Sequence, residues 1–381
     1  MTNWLKQLLE SAQQITKSKA PWLDGYSQIL IYGTGTFAQD IHRVLTDQGL
    51  PVRGFVDHLE RKSPYLNGIP VFKPEVIKDF GKPIYNTVVV LGIHNYLANI
   101  PQIILQLKKY GVEQIVSSIE LYDFFGKELG ERYWLTSRNF YSSLEYVLEE
   151  LLNLWIDETS KVLFRQILEF RIHGDASQLS QPDLLNPYHP RDIPPWETPL
   201  RFVDCGAFDG DTIADFIRND IKIEAVAAFE PDLFNFNKLA SFVKSNHKKL
   251  PNANLWPCGV FSSNKQLKFE AGQEMASSIS STGSTMVQCV TLDDALSTFR
   301  PNLIKMDIEG SEYDALLGAH DLIANFQPGL AISLYHRPEH LWQLPFLIKR
   351  MVPDKTYQFM MRSHALNDFE LVLYAIPQKR F

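Results

Sequence analysis

Apolar positions in this chain follow two rhythms, and the places where one replaces the other divide it. Through about Gly126, short apolar runs alternate with helical patterns. Gln28–Tyr32 (QILIY) reads as a strand, and GTGTFA at Gly33–Ala38 as a turn into a helix that runs to about Gln48. Val52–Asp57 (VRGFVD) is a second strand, Asn67–Pro70 a turn, and Thr87–Leu91 (TVVVL) a buried strand. Ile100–Tyr110 is a helix and Val112–Val116 a short strand. This alternation predicts βαβ units on a parallel sheet.

From Ser137 to Leu179 the period becomes helical. Leu144, Val147, Leu148, Leu151, Leu152 and Trp155, then Val162, Leu163, Ile167, Leu168 and Phe170, predict two or three helices with a core-facing stripe. Gln181–Pro199 holds Pro182, Pro187, Pro190, Pro194, Pro195 and Pro199, which forbid regular structure and predict a loop. Near Thr198 strands return, at Phe202–Cys205, Ala225–Phe229, Leu255–Cys258, Leu303–Asp307 and Leu330–Leu334. Tyr357–Met361 and Glu370–Ala375 predict a terminal hairpin. The chain therefore reads as α/β throughout. A smaller domain spans 1–126, a helical and Pro-rich connector 127–197, and a larger domain 198–381.

Composition narrows the possibilities. A length of 381 residues suits two domains, and 45% apolar residues argue against disorder. A net charge of −7 with no long basic run leaves no electrostatic footprint for a nucleic acid. Cys205, Cys258 and Cys289 lie far apart, the first two at strand ends and the third within a strand. They read as buried reduced thiols, and no disulfide or metal site is expected. No apolar stretch approaches the roughly 18 residues of a membrane span. The first residues, MTNWLKQLLESAQQITKSKA, form a polar amphipathic helix without a signal-peptide core, so a cytoplasmic location is expected.

Three apolar runs end in an acid: RFVDCGAFDGDT at Asp204, AFEPD at Glu230 and IKMDIEGSE at Asp307. Buried parallel strands have this form, and ligands of open α/β sheets bind at their carboxyl ends. Gly206 and Gly210 allow close approach of backbone to ligand, and Thr212 stands where the next helix presents free N–H groups. Asp204 suits a cationic amino group. Glu230, about 26 residues later, suits both ribose hydroxyls of a nucleoside. Gly259 follows the third strand, either to let a ligand approach the backbone or only to turn. Glu309 and Glu312 open a helix after Asp307, and Glu312 reads as a capping charge. Thr291 reads as a helix N-cap. His336 ends the fifth strand, as a general base near neutral pH or as a packing residue. Tyr335, Arg337 and His340 stand beside it to line an acceptor pocket. The serine-rich stretch Met275–Thr285 reads as a loop over the cleft.

Together with TLDD at Thr291–Asp294, these motifs resemble the FkbM family of S-adenosylmethionine (SAM)-dependent methyltransferases, over about Thr198–Pro377. The resemblance implies a class I methyltransferase Rossmann-like sheet whose last strand inserts antiparallel. It implies SAM as cofactor, held by Asp204, Gly206, Gly210, Thr212, Glu230, Gly259 and Asp307, with His336 and Asp307 catalytic. It further implies methyl transfer to a hydroxyl of a saccharide or related natural product, a small-molecule or glycan acceptor. The pattern ILIYGTGTFAQDIHRVL…VRGFVD…LNGIPVFKPE resembles the N-terminal Rossmann-like domain of bacterial sugar O-acyltransferases. With Asp57 at the second strand end, NAD, a sugar nucleotide or glycan, and a ligand-free scaffold all remain open for that segment. A nucleotide-sugar oxidoreductase would need a Tyr-x-x-x-Lys pair, but Tyr96 is followed by Leu97, Ala98, Asn99 and Ile100. A non-catalytic nucleotide-binding module would lose a strand-end acid, and all three are present. Methyl transfer therefore leads.

Overall fold

The structure, a computed structural model, describes residues 3–17, 22, 26, 28–58, 63–79, 86–270, 278–279, 285–353 and 356–378. The chain forms two compact units. The first comprises Met1–Leu152, Val162–Gln181 and Ala365–Phe369, the second Asn153–Lys161, Pro182–His364 and Glu370–Phe381. Residues 127–197, read from sequence as a connector, are distributed between the two.

In the first unit, six strands lie in the order β3-β4-β2-β1-β5-β6. They are β1 (Gln28–Tyr32), β2 (Val52–Val56), β3 (Tyr65–Leu66), β4 (Ile69–Phe72), β5 (Thr87–Leu91) and β6 (Gln114–Val116). All pairs are parallel except the β3–β4 hairpin. Leu30, Tyr32, Val56, Val89 and Leu91 form its core, so the continuous apolar runs are buried strands as read. The amphipathic helix α1 (Asn3–Lys17) buries Leu5, Leu8, Leu9 and Ala12. Helix α2 (Thr36–Asp47) follows the glycine turn, α3 (Ile100–Lys109) carries Pro in its first turn, and α4 (Ser118–Leu129) is capped by Ser117. The helical stripe becomes α5 (Glu145–Leu154) and α6 (Glu158–His173). Arg171 pairs with Asp368 at 2.6 Å, both side chains wholly buried, with its guanidinium over Trp134.

The second unit is built on seven strands in the order β16-β17-β15-β14-β7-β8-β9. Strands β7 (Leu200–Cys205), β8 (Ile223–Phe229) and β9 (Ala253–Trp256) lie to one side of β14 (Leu303–Met306) and β15 (Gly329–Ser333). All five run parallel. The hairpin β16 (Tyr357–Ser363) and β17 (Leu371–Pro377) closes the sheet, with β17 inserted antiparallel beside β15. The chain starts at β7, winds outward to β9, then crosses to β14. The topological switch therefore falls between β7 and β14, where α/β sheets open a crevice at their carboxyl edge.

A second, four-stranded sheet has the order β10-β13-β11-β12, with β10 (Gly259–Val260), β11 (Lys265–Glu270), β12 (Ser278–Ile279) and β13 (Thr285–Val290). The third strand of the main sheet thus ends at Trp256, not Cys258, and Gly259 belongs to a separate strand paired with Cys289. All three cysteines are free and buried. Of the predicted loop Met275–Thr285, residues 275–277 and 280–284 lie outside the described residues. Among the described residues, no helix is long and apolar enough to cross a membrane.

Candidate active site

The floor of the crevice is set by strand register. In the parallel pair β7–β14, Lys305 stands opposite Asp204, so the two side chains share a face. Lys305 Nζ lies 3.0 Å from Asp204 Oδ1 and donates to the Gly206 carbonyl at 2.7 Å. Burial raises Asp204 to about 6, while Lys305 opposes the shift. Burial acts against the Lys305 ammonium, but Asp204, Asp307 and Asp211 outweigh it and strengthen its hold on its proton. The sequence reading passed over Lys305. A single charge inside the buried run LIKM was the available signal, because a buried ammonium must be paired.

The turn after β7 is shaped by protein contacts. Gly206 has φ +79°, and a Cβ there would run into the Asp307 carbonyl. Gly210 has φ +94°, and its Cβ would lie 2.7 Å from the Phe242 ring. These glycines let loops and helices close on one another, a requirement the sequence reading had attributed to the ligand. Gly210 leads into α7 (Asp211–Arg218), whose Thr212 is buried. Gly259 is buried against Cys289 and not at the end of β9. Glu230 follows β8. Its Oε2 accepts from Phe208 N–H at 2.8 Å and its Oε1 from Asp232 N–H at 2.9 Å. Burial raises Glu230 to about 7, opposed by those two N–H groups. Asp232 caps α8 (Leu233–Ser245) through the N–H groups of Phe234 and Asn235.

On the other side of the switch, Asp307 is half-buried. Its Oδ2 accepts from Tyr188 Oη at 3.0 Å and its Oδ1 from Tyr335 Oη at 3.3 Å. Tyr335 Oη also lies 2.9 Å from Glu370 Oε1, so its single proton is shared between the two carboxyl groups. His336 Nδ1 is bonded to Glu312 Oε1 at 2.7 Å, while Nε2 lies 3.4 Å from Asp307 and 3.5 Å from Glu309. His340 Nδ1 lies 3.3 Å from the second Glu312 oxygen. Burial raises Glu309 to about 8 and Glu370 to about 7. For Glu312 burial works upward too, but His336 pulls it down to about 2. Burial works downward on His336, yet Glu312 and Glu309 raise it to about 10. Phe208, Glu309 and Glu370 all take left-handed φ, 48°, 54° and 47°, a conformation costly for non-glycine residues and concentrated at functional sites.

The structure thus brings together Asp204, Glu230, Asp307 and His336 at one sheet edge of the second unit. It also bears on two expectations. A general base must be neutral near pH 7, whereas Glu312 and Asp307 beside His336 favour its imidazolium, which fits the packing alternative of the sequence reading. Glu312 is more than a helix charge: it is the wholly buried partner of His336. Arg337 Nε donates to the Gly310 carbonyl at 3.1 Å, and Thr291 caps its helix as read. Sequence reasoning missed Tyr188 and Glu370, which carry no local motif. No metal site was expected, yet Asp307, Glu312 and His336 place ligand atoms within 4.8 Å of one another. In the first unit, Gly33 has φ +112° and the Thr34 hydroxyl donates to Asp57, the acid read as a ribose partner.

Comparison with known proteins meets this geometry. Residues 204–364 match the family profile of the methyltransferase FkbM domain. That stretch of the second unit is similar to the methyltransferase FkbM domain. A solved structure described as methyltransferase FkbM from Methylobacillus flagellatus KT aligns with a TM-score of 0.78 and 20% identity, covering 98% of this chain and 99% of its own. At that identity the likeness concerns the fold, which is thus shared along nearly the whole chain. A proposed rRNA-methylase from Clostridium thermocellum aligns with a TM-score of 0.31 and 11% identity, over 47% of this chain and 86% of its own. No curated protein matches. Tyr188 and Glu370 lie outside the stretch that the FkbM profile covers.

Proposed function

We propose that this chain is a SAM-dependent O-methyltransferase acting on a hydroxyl of a saccharide or related natural product. The observation that carries the proposal is the placement of Glu230 and Asp307 on either side of the β7–β14 switch, within a stretch similar to the methyltransferase FkbM domain. The donor set fits the cofactor. Half-buried Asp307, with the carboxyl groups of Glu309 and Glu370 beside it, suits a ligand bearing ammonium and sulfonium charges, and the cluster offers no cation to a pyrophosphate. Glu230 would hold the ribose hydroxyls, and Gly206, Gly210 and Thr212 shape the turn beside it.

When bound, SAM supplies a methyl group activated by its sulfonium. The protein's part is orientation and proton management. Asp307, fixed by Tyr188 and Tyr335, is the carboxylate placed to take the proton of the acceptor hydroxyl. His336 balances the charge of Glu312 and Asp307 and keeps its own proton. Tyr335 and Tyr188, pushed up by burial and by Asp307, remain donors. The test is incubation of the full chain with methyl-labelled SAM and a cell extract. Label appearing in an ether of a small saccharide-like product supports the reading. Label only in protein or nucleic acid contradicts it.

A further inference from the structure

We infer that Lys305 is a positioning residue of the cofactor site, and that Asp204 is its counter-ion rather than a ligand to the cofactor's amino group. The inference deepens the SAM reading above and rests on it. An acid at the end of the first strand invites the view that it accepts from the ammonium of the cofactor. Here that position already has an ammonium. Lys305 Nζ stands 3.0 Å from Asp204 Oδ1 and 2.7 Å from the Gly206 carbonyl oxygen. Lys305 is 2% exposed and Asp204 is not exposed at all, so neither can exchange its partner for water. The Tyr188 ring covers the ammonium at 5.2 Å, and the Tyr188 hydroxyl is bonded to Asp307. A second ammonium competing for Asp204 and Gly206 would meet a like charge at close range in a poorly solvated place. The cofactor's amino group is left to a group other than Asp204, one that reaches the cleft.

The lysine acts on the cofactor through the backbone. Its bond fixes the Gly206 carbonyl. Two residues on, Phe208 turns at φ 48° and gives its N–H to Glu230. Lys305 thereby sets the turn against which the ribose-binding carboxylate is aimed. Register makes the charge pair one feature: Lys305 and Asp204 are cross-strand neighbours in β14 and β7.

Two probes separate the roles in the full-length chain, by calorimetry: S-adenosylhomocysteine, and 5′-methylthioadenosine, which keeps the nucleoside and thioether but lacks the amino-acid portion. Lys305→Met is expected to weaken both probes by a similar factor, roughly tenfold or more, the loss expected for a charged hydrogen bond. Lys305→Arg, which keeps the charge, is expected to recover most of that loss. Asp204→Asn, nearly isosteric, is expected to leave the ratio of the two affinities unchanged within about twofold. Combining Asp204→Asn with Lys305→Met is expected to cost less than the sum of the two, as for a coupled pair. A selective loss of S-adenosylhomocysteine binding in Asp204→Asn overturns the inference, because it makes Asp204 the ligand of the amino group. Equal affinities in Lys305→Met and the parent overturn it as well. If Lys305→Met does not fold, the Asp204→Asn ratio and Lys305→Arg still decide. Failure of the parent chain to bind either probe refutes the cofactor reading itself, a different result from any of these.

Discussion

On the proposed reading, Glu230 links protonation to cofactor binding. Its folded value is raised to about 7, so below that pH the free protein holds it protonated. Ribose hydroxyls need its carboxylate. Affinity for S-adenosylhomocysteine is therefore expected to be full above about pH 7 and to fall as pH drops through it, by up to roughly tenfold per unit. Glu230→Ala is expected to cost about 1–3 kcal/mol of binding at pH 8, and calorimetry across pH checks both statements. His336 carries the opposite sign. Its value rises from 6.5 to about 10, so its contribution to stability is full below 6.5 and lost as pH rises through about 10. Glu312 falls from 4.5 to about 2, so its share is present above 4.5 and lost as pH falls through about 2. The stability gap between the parent and His336→Gln is thus expected to be widest between these limits and to close in strong alkali. A gap that instead opens above neutral pH would restore the neutral-imidazole view. At this scale the sequence exposes Asp204, Glu230 and Asp307, because a strand-end acid is a local pattern. Lys305, Tyr188 and Glu370 acquire meaning only across strands and loops, as pairs separated by 99, 119 and 35 residues.

Strands of the second unit were legible as apolar runs, since parallel strands buried on both faces leave little polar interruption. Their ends were less so. Cys258 and Gly259 continue the run LWPCGV, yet β9 stops at Trp256 and Gly259 pairs with Cys289 in another sheet. Long-range pairing chose between two local fits. Strand β11 went unread because Lys265, Gln266 and Lys268 are exposed and only Leu267 and Phe269 give it an apolar face. The glycine turn after β7 gives the sharpest test at element scale. Gly206→Ala places a Cβ against the Asp307 carbonyl and forces a left-handed φ on alanine. Its expected cost is about 1–3 kcal/mol of stability, read from denaturant unfolding, together with loss of cofactor binding. An alanine variant with unchanged midpoint would show that the turn can relax.

For the molecule as a whole, α/β architecture was accessible from periodicity, whereas the assignment of helices to one compact unit or the other was not. The segment read as a connector contributes Ser160 to the second unit, where its hydroxyl accepts from Met361 N–H at 2.8 Å. It contributes Arg171 to the first, where Trp134 and Asp368 enclose the guanidinium. Apolar spacing cannot say which core a helix joins. A fragment starting at Ser137 removes Trp134 from Arg171 and His94 from Phe369. It is expected to unfold at lower denaturant than the full chain, or to aggregate. The central claim, a SAM site at the β7–β14 edge, is tested most directly by calorimetry of the full chain with SAM and with NAD. On the proposed reading, SAM is expected to bind in the micromolar range, about −8 kcal/mol, and Glu230→Ala to weaken it strongly. Heat from NAD alone, with none from SAM or S-adenosylhomocysteine, would contradict it.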